Sequence, residues 1–241
     1  ITKHISSICD ARVIWGGDNT INSVRKNWIP ERSIDLTFAD RYSFSLINVD
    51  KLKKEKKFNL IVKNFFYDSY IMDQLACNSP HFVFWLGKKN NDLQDRFWKT
   101  LNNIVEKKYS FDEMHILNKY TSLMSHFIKN DVFKKVDLLK NNVFVLTPND
   151  NLNNIENMRG VNGTFFQKNI KKLSYLKKFI TKKCQTISYY GTSKNQLKNF
   201  LSRNNILGVD RFVPIGSSLE INLKWDGYDV IKSLSRVVDY K

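Results

Sequence analysis

The sequence predicts an α/β fold with a mostly parallel sheet, and three observations support that class. Short apolar runs typical of strands alternate with longer segments whose apolar residues recur at helical spacing. No internal repeat or Pro/Gly-rich linker interrupts this alternation. The chain has 241 residues, of which 42% are hydrophobic, so it can bury a substantial core in one large domain or in parts of two.

The first segment with a clear pattern is ARVIWGG at 11–17, an apolar run that ends in two glycines. DNTINSVRK follows, with Asp18 or Asn19 as the expected N-cap. The pattern predicts a strand, a tight turn and a helix whose free N–H groups lie at the carboxyl edge of the sheet, where phosphates bind. Further strands are expected at 34–40 and 42–50, and the alternation of the second predicts a half-buried edge strand.

The rest of the chain continues the alternation. Helical spacing extends over 51–77 and is broken by Asn78, Ser79 and Pro80. The other expected helices lie at 91–108, at 110–130 with a capping box from Ser110 and Glu113, and at 193–205; the other expected strands lie at 81–87, 141–148, 163–170 and 185–191.

Composition limits the classes of function. The net charge of +16 suits an anionic partner, but the lysines are dispersed as on solvated helix faces and accompany no nucleic-acid-binding motif, so no nucleic-acid partner is predicted. Cys9, Cys77 and Cys184 are odd in number and far apart, which indicates reduced thiols in the cytoplasm. No metal-ligand spacing occurs and no apolar run spans a bilayer, so we expect no metal, no membrane span and a soluble protein.

The segment DQLACNSPHFVFW at 73–85 places Cys77 between a predicted helix and a buried strand. At such a junction the thiolate could attack a carbonyl carbon while the N–H groups of Cys77 and Asn78 stabilise the oxyanion. The alternative is a small buried hydrophobe. His81 also has two interpretations, an ion pair with the thiolate or a structural hydrogen bond. The aromatic residues that follow could line an acyl channel, although core packing is favoured.

DQLACNSPHFVFWLG resembles the nucleophile segment of the LuxC-type fatty acyl-CoA reductases, the reductase subunit of the bacterial bioluminescence fatty acid reductase complex. ARVIWGGDNTI at 11–21, FADRYSFSLI at 38–47 and GVDRFVPIGSSLEINLKWDGYDVIKSLSR at 208–236 agree in the same order. The resemblance implies an aldehyde dehydrogenase-like fold that contains the end of a Rossmann-type dinucleotide-binding domain (1–50) and a catalytic domain (51–222). A final segment, 223–241, would return to the cofactor domain or form an oligomer interface.

The resemblance also implies a reaction. Cys77 would accept the acyl group of a fatty acyl-CoA or other acyl thioester, and hydride from NADPH would then release a long-chain aldehyde. Gly16, Gly17, Asp18 and Thr37 would lie near the dinucleotide. Thr37 would stand where aldehyde dehydrogenases carry the glutamate that activates water, with Asp40 as an alternative at that position.

Partners follow from the same resemblance: acyl-protein synthetase and acyltransferase subunits, and further copies of the chain as a homo-oligomer. Related reductases are about twice this length, which predicts a missing N-terminal part. Two rival functions stay open. One is a CoA-acylating aldehyde dehydrogenase that works in the oxidative direction, and the other is a non-catalytic basic binding protein with the same fold.

Overall fold

A computed structural model describes residues 1–129 and 133–241, which form two compact units. Ile1–Arg41 and Ile221–Lys241 make up the smaller unit, and Tyr42–Glu220 make up the larger one. The sequence placed the first boundary near residue 50, whereas the structure places it at the start of the strand Tyr42–Asn48, which pairs on both sides with strands of the larger unit. The assignment of the units as cofactor and catalytic domains stays a prediction.

The helices are α1 (Thr2–Ser6), α2 (Asp18–Arg25), α3 (Val49–Lys53), α4 (Phe58–Tyr70), α5 (Asn91–Lys108), α6 (Glu113–Ile128), α7 (Lys194–Asn204) and α8 (Val230–Ser233), with a 3₁₀ helix at Leu173–Phe179. The strands are β1 (Ala11–Trp15), β2 (Ile34–Phe38), β3 (Tyr42–Asn48), β4 (Pro80–Leu86), β5 (Phe133–Leu139), β6 (Val143–Pro148), β7 (Thr164–Ile170), β8 (Cys184–Tyr190), β9 (Arg211–Pro214), β10 (Lys224–Trp225) and β11 (Tyr228–Asp229). Among the described residues, no helix combines the length and apolarity that crossing a bilayer requires.

The smaller unit is built on the parallel pair β1–β2, which α2 connects. Its core forms where Leu36 and Phe38 pack against Trp225 of the antiparallel pair β10–β11. The N-cap of α2 is Gly17, and the expected caps Asp18 and Asn19 lie inside the helix. Gly17 takes this position because its backbone is extended, with φ −67° and ψ 163°.

The larger unit contains a seven-stranded sheet in the order β5–β6–β7–β4–β3–β8–β9. Every neighbouring pair is parallel except β5–β6, which is antiparallel. The prediction that β3 is a half-buried edge strand is wrong, because β3 lies inside the sheet and six of its seven residues are buried. Both of its faces are covered, as is usual in parallel sheets.

Helices cover both faces of this sheet. Residues of α3, α4 and α5 pack with Trp85 on one face, and residues of α6, α7 and the 3₁₀ helix pack with Phe82 and Phe84 on the other. The three aromatic side chains after Cys77 are therefore core residues, with exposures of 1% or less. The order of strands and helices gives the α/β class that the sequence predicted.

The local predictions differ from the structure at the start of α6 and in strands that they missed. The capping box of α6 is made by Asp112 and His115 instead of Ser110 and Glu113, because the Asp112 carboxylate accepts the His115 backbone N–H at 2.7 Å. The strands β5 and β9 were not predicted, since both are partly exposed and lack a clear apolar pattern. The expected end of α6 at residue 130 lies outside the described residues.

Lys119 is the most unusual residue of α6, since its side chain is fully buried. Its Nζ donates hydrogen bonds of 2.9 Å to the backbone carbonyls of Asn141 and Asn142 and lies over the rings of Phe111 and Phe144. Burial lowers the pKa of Lys119 from an ordinary value of 10.5 to about 7. A neutral amine has two N–H donors, which match the two carbonyl acceptors.

This pKa gives stability a defined pH dependence. Between about pH 7 and 10 the unfolded chain binds a proton at Lys119 that the folded chain does not bind. The free energy of unfolding should therefore rise by roughly 1.4 kcal/mol per pH unit within that window. Urea unfolding at pH 7, 8 and 9 should show this slope in the wild type and its loss in Lys119→Met. The exposed Lys107→Met variant is the control, and a slope shared by all three proteins would contradict the prediction.

Candidate active site

Cys77 lies in a β-turn that immediately precedes β4. The Ser79 N–H donates to the Ala76 carbonyl at 2.9 Å, which makes Cys77 and Asn78 the two central residues of the turn. Among the described residues, the backbone N–H groups of Cys77 and Asn78 donate no hydrogen bond. The thiol is half-buried and forms no disulfide. The turn thus brings a cysteine and two unpaired N–H donors together.

The turn is fixed at the amino edge of the parallel sheet by Ser43. The Ser43 hydroxyl donates to the Cys77 carbonyl at 2.6 Å and accepts the Thr186 backbone N–H at 3.1 Å. The pairing of β3 with both of its neighbours is irregular at this point, so the Ser43 hydroxyl takes the place of a backbone hydrogen-bond partner in the sheet. Ser43 therefore ties Cys77 to β3 and β8 at once.

Gln74 holds the segment that leads into the turn. Its side chain is fully buried and makes four hydrogen bonds: Nε2 donates to the carbonyls of Pro80 and Thr164, and Oε1 accepts the N–H groups of Gly163 and Thr164. The backbone of Asp73 and Gln74 is left-handed, with φ of 51° and 61°. Non-glycine residues rarely adopt that conformation, so the four hydrogen bonds stabilise a strained segment.

Asn78 and Asp68 connect the turn to the segment after β9. The Asn78 side-chain amide donates to the Ser218 carbonyl at 2.6 Å. The buried Asp68 carboxylate of α4 accepts the N–H groups of Gly216 at 2.7 Å and Ser218 at 2.9 Å. Burial raises the pKa of Asp68, and these two N–H donors oppose that shift. The Asn78 side chain is therefore engaged in structure, whereas its backbone N–H faces no described acceptor.

His81 is the second residue of β4 and is buried. Its Nδ1 lies 2.9 Å from the Gly160 carbonyl oxygen. A carbonyl only accepts, so Nδ1 carries the proton and the lone pair of a neutral ring is on Nε2. This contact is the structural hydrogen bond that the sequence left open as an alternative, and a catalytic role for His81 stays a prediction.

The residues expected to bind the cofactor meet at the carboxyl ends of β1 and β2 in the smaller unit. The Gly16 N–H donates to the Phe38 carbonyl at 3.1 Å, and Thr37 pairs with Ile14 one residue before the end of β2. A Cβ atom built on Gly17 would have no neighbour within 4 Å, so the space above the first turn of α2 is open.

Asp18 has a contact of its own at this edge. Its carboxylate accepts the backbone N–H of Asp40 at 3.4 Å, which links the start of α2 to the segment after β2.

No group of three or more His, Cys, Asp or Glu side chains within residues 1–129 and 133–241 is arranged to hold a metal ion.

Sequence reasoning missed the residues that hold the turn in place: Ser43, Asp68, Gln74 and Ser218. Ser43, Asp68 and Gln74 act through polar side chains inside or beside an apolar run, as in FFYDSY around Asp68, whereas Ser218 acts through its backbone carbonyl and N–H groups. A buried polar group must find a hydrogen-bond partner, so such positions indicate an internal network. The signal identifies the residues but does not name the partners.

The profile of the LuxC acyl-CoA reductases matches residues 1–237. The chain belongs to this family. No protein with a curated description matches the sequence significantly.

Solved structures show that the fold is that of the aldehyde dehydrogenases. An NADP-dependent enzyme of E. coli superposes with a TM-score of 0.61 at 9% identity, covering 92% of this chain and 48% of its own. An aldehyde dehydrogenase of Brucella melitensis biovar abortus gives 0.60 at 10% identity, covering 92% and 47%. Betaine aldehyde dehydrogenase of Staphylococcus aureus gives 0.56 at 14% identity, covering 88% and 45%. The chain thus spans about half the length of these enzymes.

The hydrogen bonds of Gln74 can be tested by substitution. Gln74→Leu keeps the size of the side chain but leaves buried N–H and C=O groups without partners, so it should lower the free energy of unfolding by about 3 kcal/mol or more. Urea denaturation measures the change. The matched control is Gln196→Leu, which removes only an exposed capping interaction and should cost about 1 kcal/mol or less. Equal losses in the two variants would show that Gln74 does not hold the segment.

Proposed function

We propose that this chain carries the nucleophile of a long-chain fatty acyl-CoA reductase that reduces an acyl thioester to a fatty aldehyde through an acyl-cysteine. The observation that supports this most directly is the turn at Cys77, where one thiol and two unpaired N–H donors meet. Membership of the acyl-CoA reductase family supports the same substrate class. Cys77 is the nucleophile in this proposal.

The first step needs only residues of the larger unit. The thiolate of Cys77 attacks the acyl carbonyl carbon, a carbon–sulfur bond forms, and the carbonyl oxygen becomes an oxyanion. The N–H groups of Cys77 and Asn78 donate to that oxyanion. Its collapse breaks the bond to coenzyme A, which leaves as a thiolate and takes up a proton. The product is an acyl-cysteine at position 77.

We assign cofactor binding to Gly16, Gly17, Asp18 and Thr37. The open space at Gly17 and the N–H groups of the first turn of α2 fit a phosphate of a dinucleotide. Asp18 contributes less, because its carboxylate is an anion and already accepts the Asp40 N–H. The nicotinamide cofactor, NADPH in this proposal, supplies the hydride for reduction when it is bound.

Thr37 also bears on the fate of the acyl-cysteine. A threonine hydroxyl does not act as a general base near neutral pH, unlike the glutamate that the resemblance places here in aldehyde dehydrogenases. Water is then poorly activated, and the acyl-cysteine persists until it is reduced. This difference argues against a hydrolytic aldehyde dehydrogenase. It does not separate the reductive direction from an oxidative CoA-acylating dehydrogenase, which would use the same Cys77.

The remaining proposals follow from the family. The acyl donor is a fatty acyl-CoA or another acyl thioester, and the partners are acyl-protein synthetase and acyltransferase subunits and further copies of this chain. We place the protein in the cytoplasm, where its three cysteines would stay reduced.

The nucleophile is tested by acylation of the chain. After brief incubation with palmitoyl-CoA, intact-protein mass spectrometry should show one palmitoyl adduct on the wild type that hydroxylamine removes, because hydroxylamine cleaves thioesters. Cys77→Ala should show none. Cys9→Ala is the matched control, since Cys9 is also half-buried and outside any disulfide, and it should be acylated like the wild type. An adduct that persists in Cys77→Ala would refute the assignment and favour a non-catalytic binding protein.

The role of His81 is tested by His81→Asn. An asparagine amide can donate to the Gly160 carbonyl in place of Nδ1–H, so a structural role predicts an acylation rate within about threefold of wild type. General-base or ion-pair catalysis by His81 predicts a loss of about a hundredfold or more. Quenched-flow mass spectrometry measures the rate, and thermal unfolding checks that the variant is folded.

A further inference from the structure

A cavity of about 410 Å³ opens at the carboxyl edge of the seven-stranded sheet, the edge opposite to Cys77. Its walls come from Asn48 at the end of β3, Leu86 at the end of β4, the start of the segment after β7, Thr192 after β8, and one side of α7. All of these belong to the larger unit. The volume is that of a small-molecule site.

The topology of the sheet places a binding crevice here. Strands β3 and β8 are neighbours in the sheet. After β3 the chain continues to β4, on the side of β3 away from β8, and after β8 it continues to β9, on the side of β8 away from β3. Neighbouring parallel strands whose connections run in opposite directions open a crevice outside their carboxyl ends, and α/β proteins bind ligands at such switch points. Asn48 and Thr192 follow these two strands and line the cavity.

All the charged residues of the cavity lining are cations. Lys171, Lys172 and Arg203 line the cavity, and no aspartate or glutamate does. None of the three cations takes part in the ion pairs found among the described residues. The apolar part of the lining consists of Leu86, Leu173 and Phe200. The surface therefore suits a molecule that has an anionic group and an apolar or planar body.

We propose that this cavity binds a small organic phosphate, with the phosphate on Arg203 and the two lysines, and the body of the molecule against Leu86 and Phe200. A phosphate dianion accepts several charge-assisted hydrogen bonds, which matches the three cations of the lining. The seven-residue strands β3 and β4 separate this edge from Cys77 by roughly 20 Å. The phosphate site is therefore separate from the turn of Cys77.

The test is isothermal titration of the 241-residue chain with AMP at physiological ionic strength, where diffuse binding of anions to a basic surface is screened. AMP should bind saturably with a stoichiometry of one. Arg203→Gln should weaken its affinity by about tenfold or more. Lys198→Gln is the matched control, because Lys198 is an exposed cation of α7 outside the cavity lining, and its affinity should stay within about twofold of wild type.

The other outcomes are equally defined. Absence of saturable AMP binding by the folded wild type, or an equal loss in Lys198→Gln and Arg203→Gln, would overturn the proposal. Inorganic phosphate that binds as tightly as AMP would overturn the role of the apolar wall, and adenosine that binds as tightly as AMP would overturn the role of the cations. Thermal unfolding of each variant separates a lost site from a lost fold.

Discussion

The pairing of β3 with β4 on one side and β8 on the other is the constraint on which the larger unit depends. Because both pairs are parallel, the amino ends of these strands meet at one edge of the sheet and the carboxyl ends meet at the other. The turn of Cys77 lies at the amino edge, where Ser43 binds it. The cavity beside Thr192 lies at the carboxyl edge. One set of strand pairings therefore places the turn and the cavity at opposite edges of the sheet.

Buried polar side chains, and not the apolar core, give the turn of Cys77 its conformation. Gln74 fills its hydrogen-bonding capacity with backbone groups, and the Asp68 carboxylate accepts two backbone N–H groups that are distant in sequence. Such groups stabilise a fold only when they are satisfied, and removing one partner leaves the other unpaired. The same network leaves the N–H groups of Cys77 and Asn78 without described acceptors, which is the condition that an oxyanion site requires.

The local pattern of the sequence predicted most elements, because apolar spacing records which faces are buried. The local pattern failed where packing against other elements, and not the residue types of the segment, determines which residues are buried. Strand β3 contains serines at alternate positions and so resembled an edge strand, yet Ser45 bonds Ser188 inside the sheet at 2.5 Å. The N-cap of α2 was displaced by one residue, because the extended backbone at Gly17 decided the helix start instead of the side chain of Asp18.

For the site, the sequence by itself determined the α/β class, the place of Cys77 between a helix and a buried strand, and the family, because these depend on residue types and spacings along one segment. Only the tertiary structure decided what holds that cysteine. The partners of Gln74 lie up to 90 residues away, and the Asp68 carboxylate meets an N–H group 150 residues along the chain. Contacts over such separations arise from the order of strands in the sheet, which no local pattern specifies.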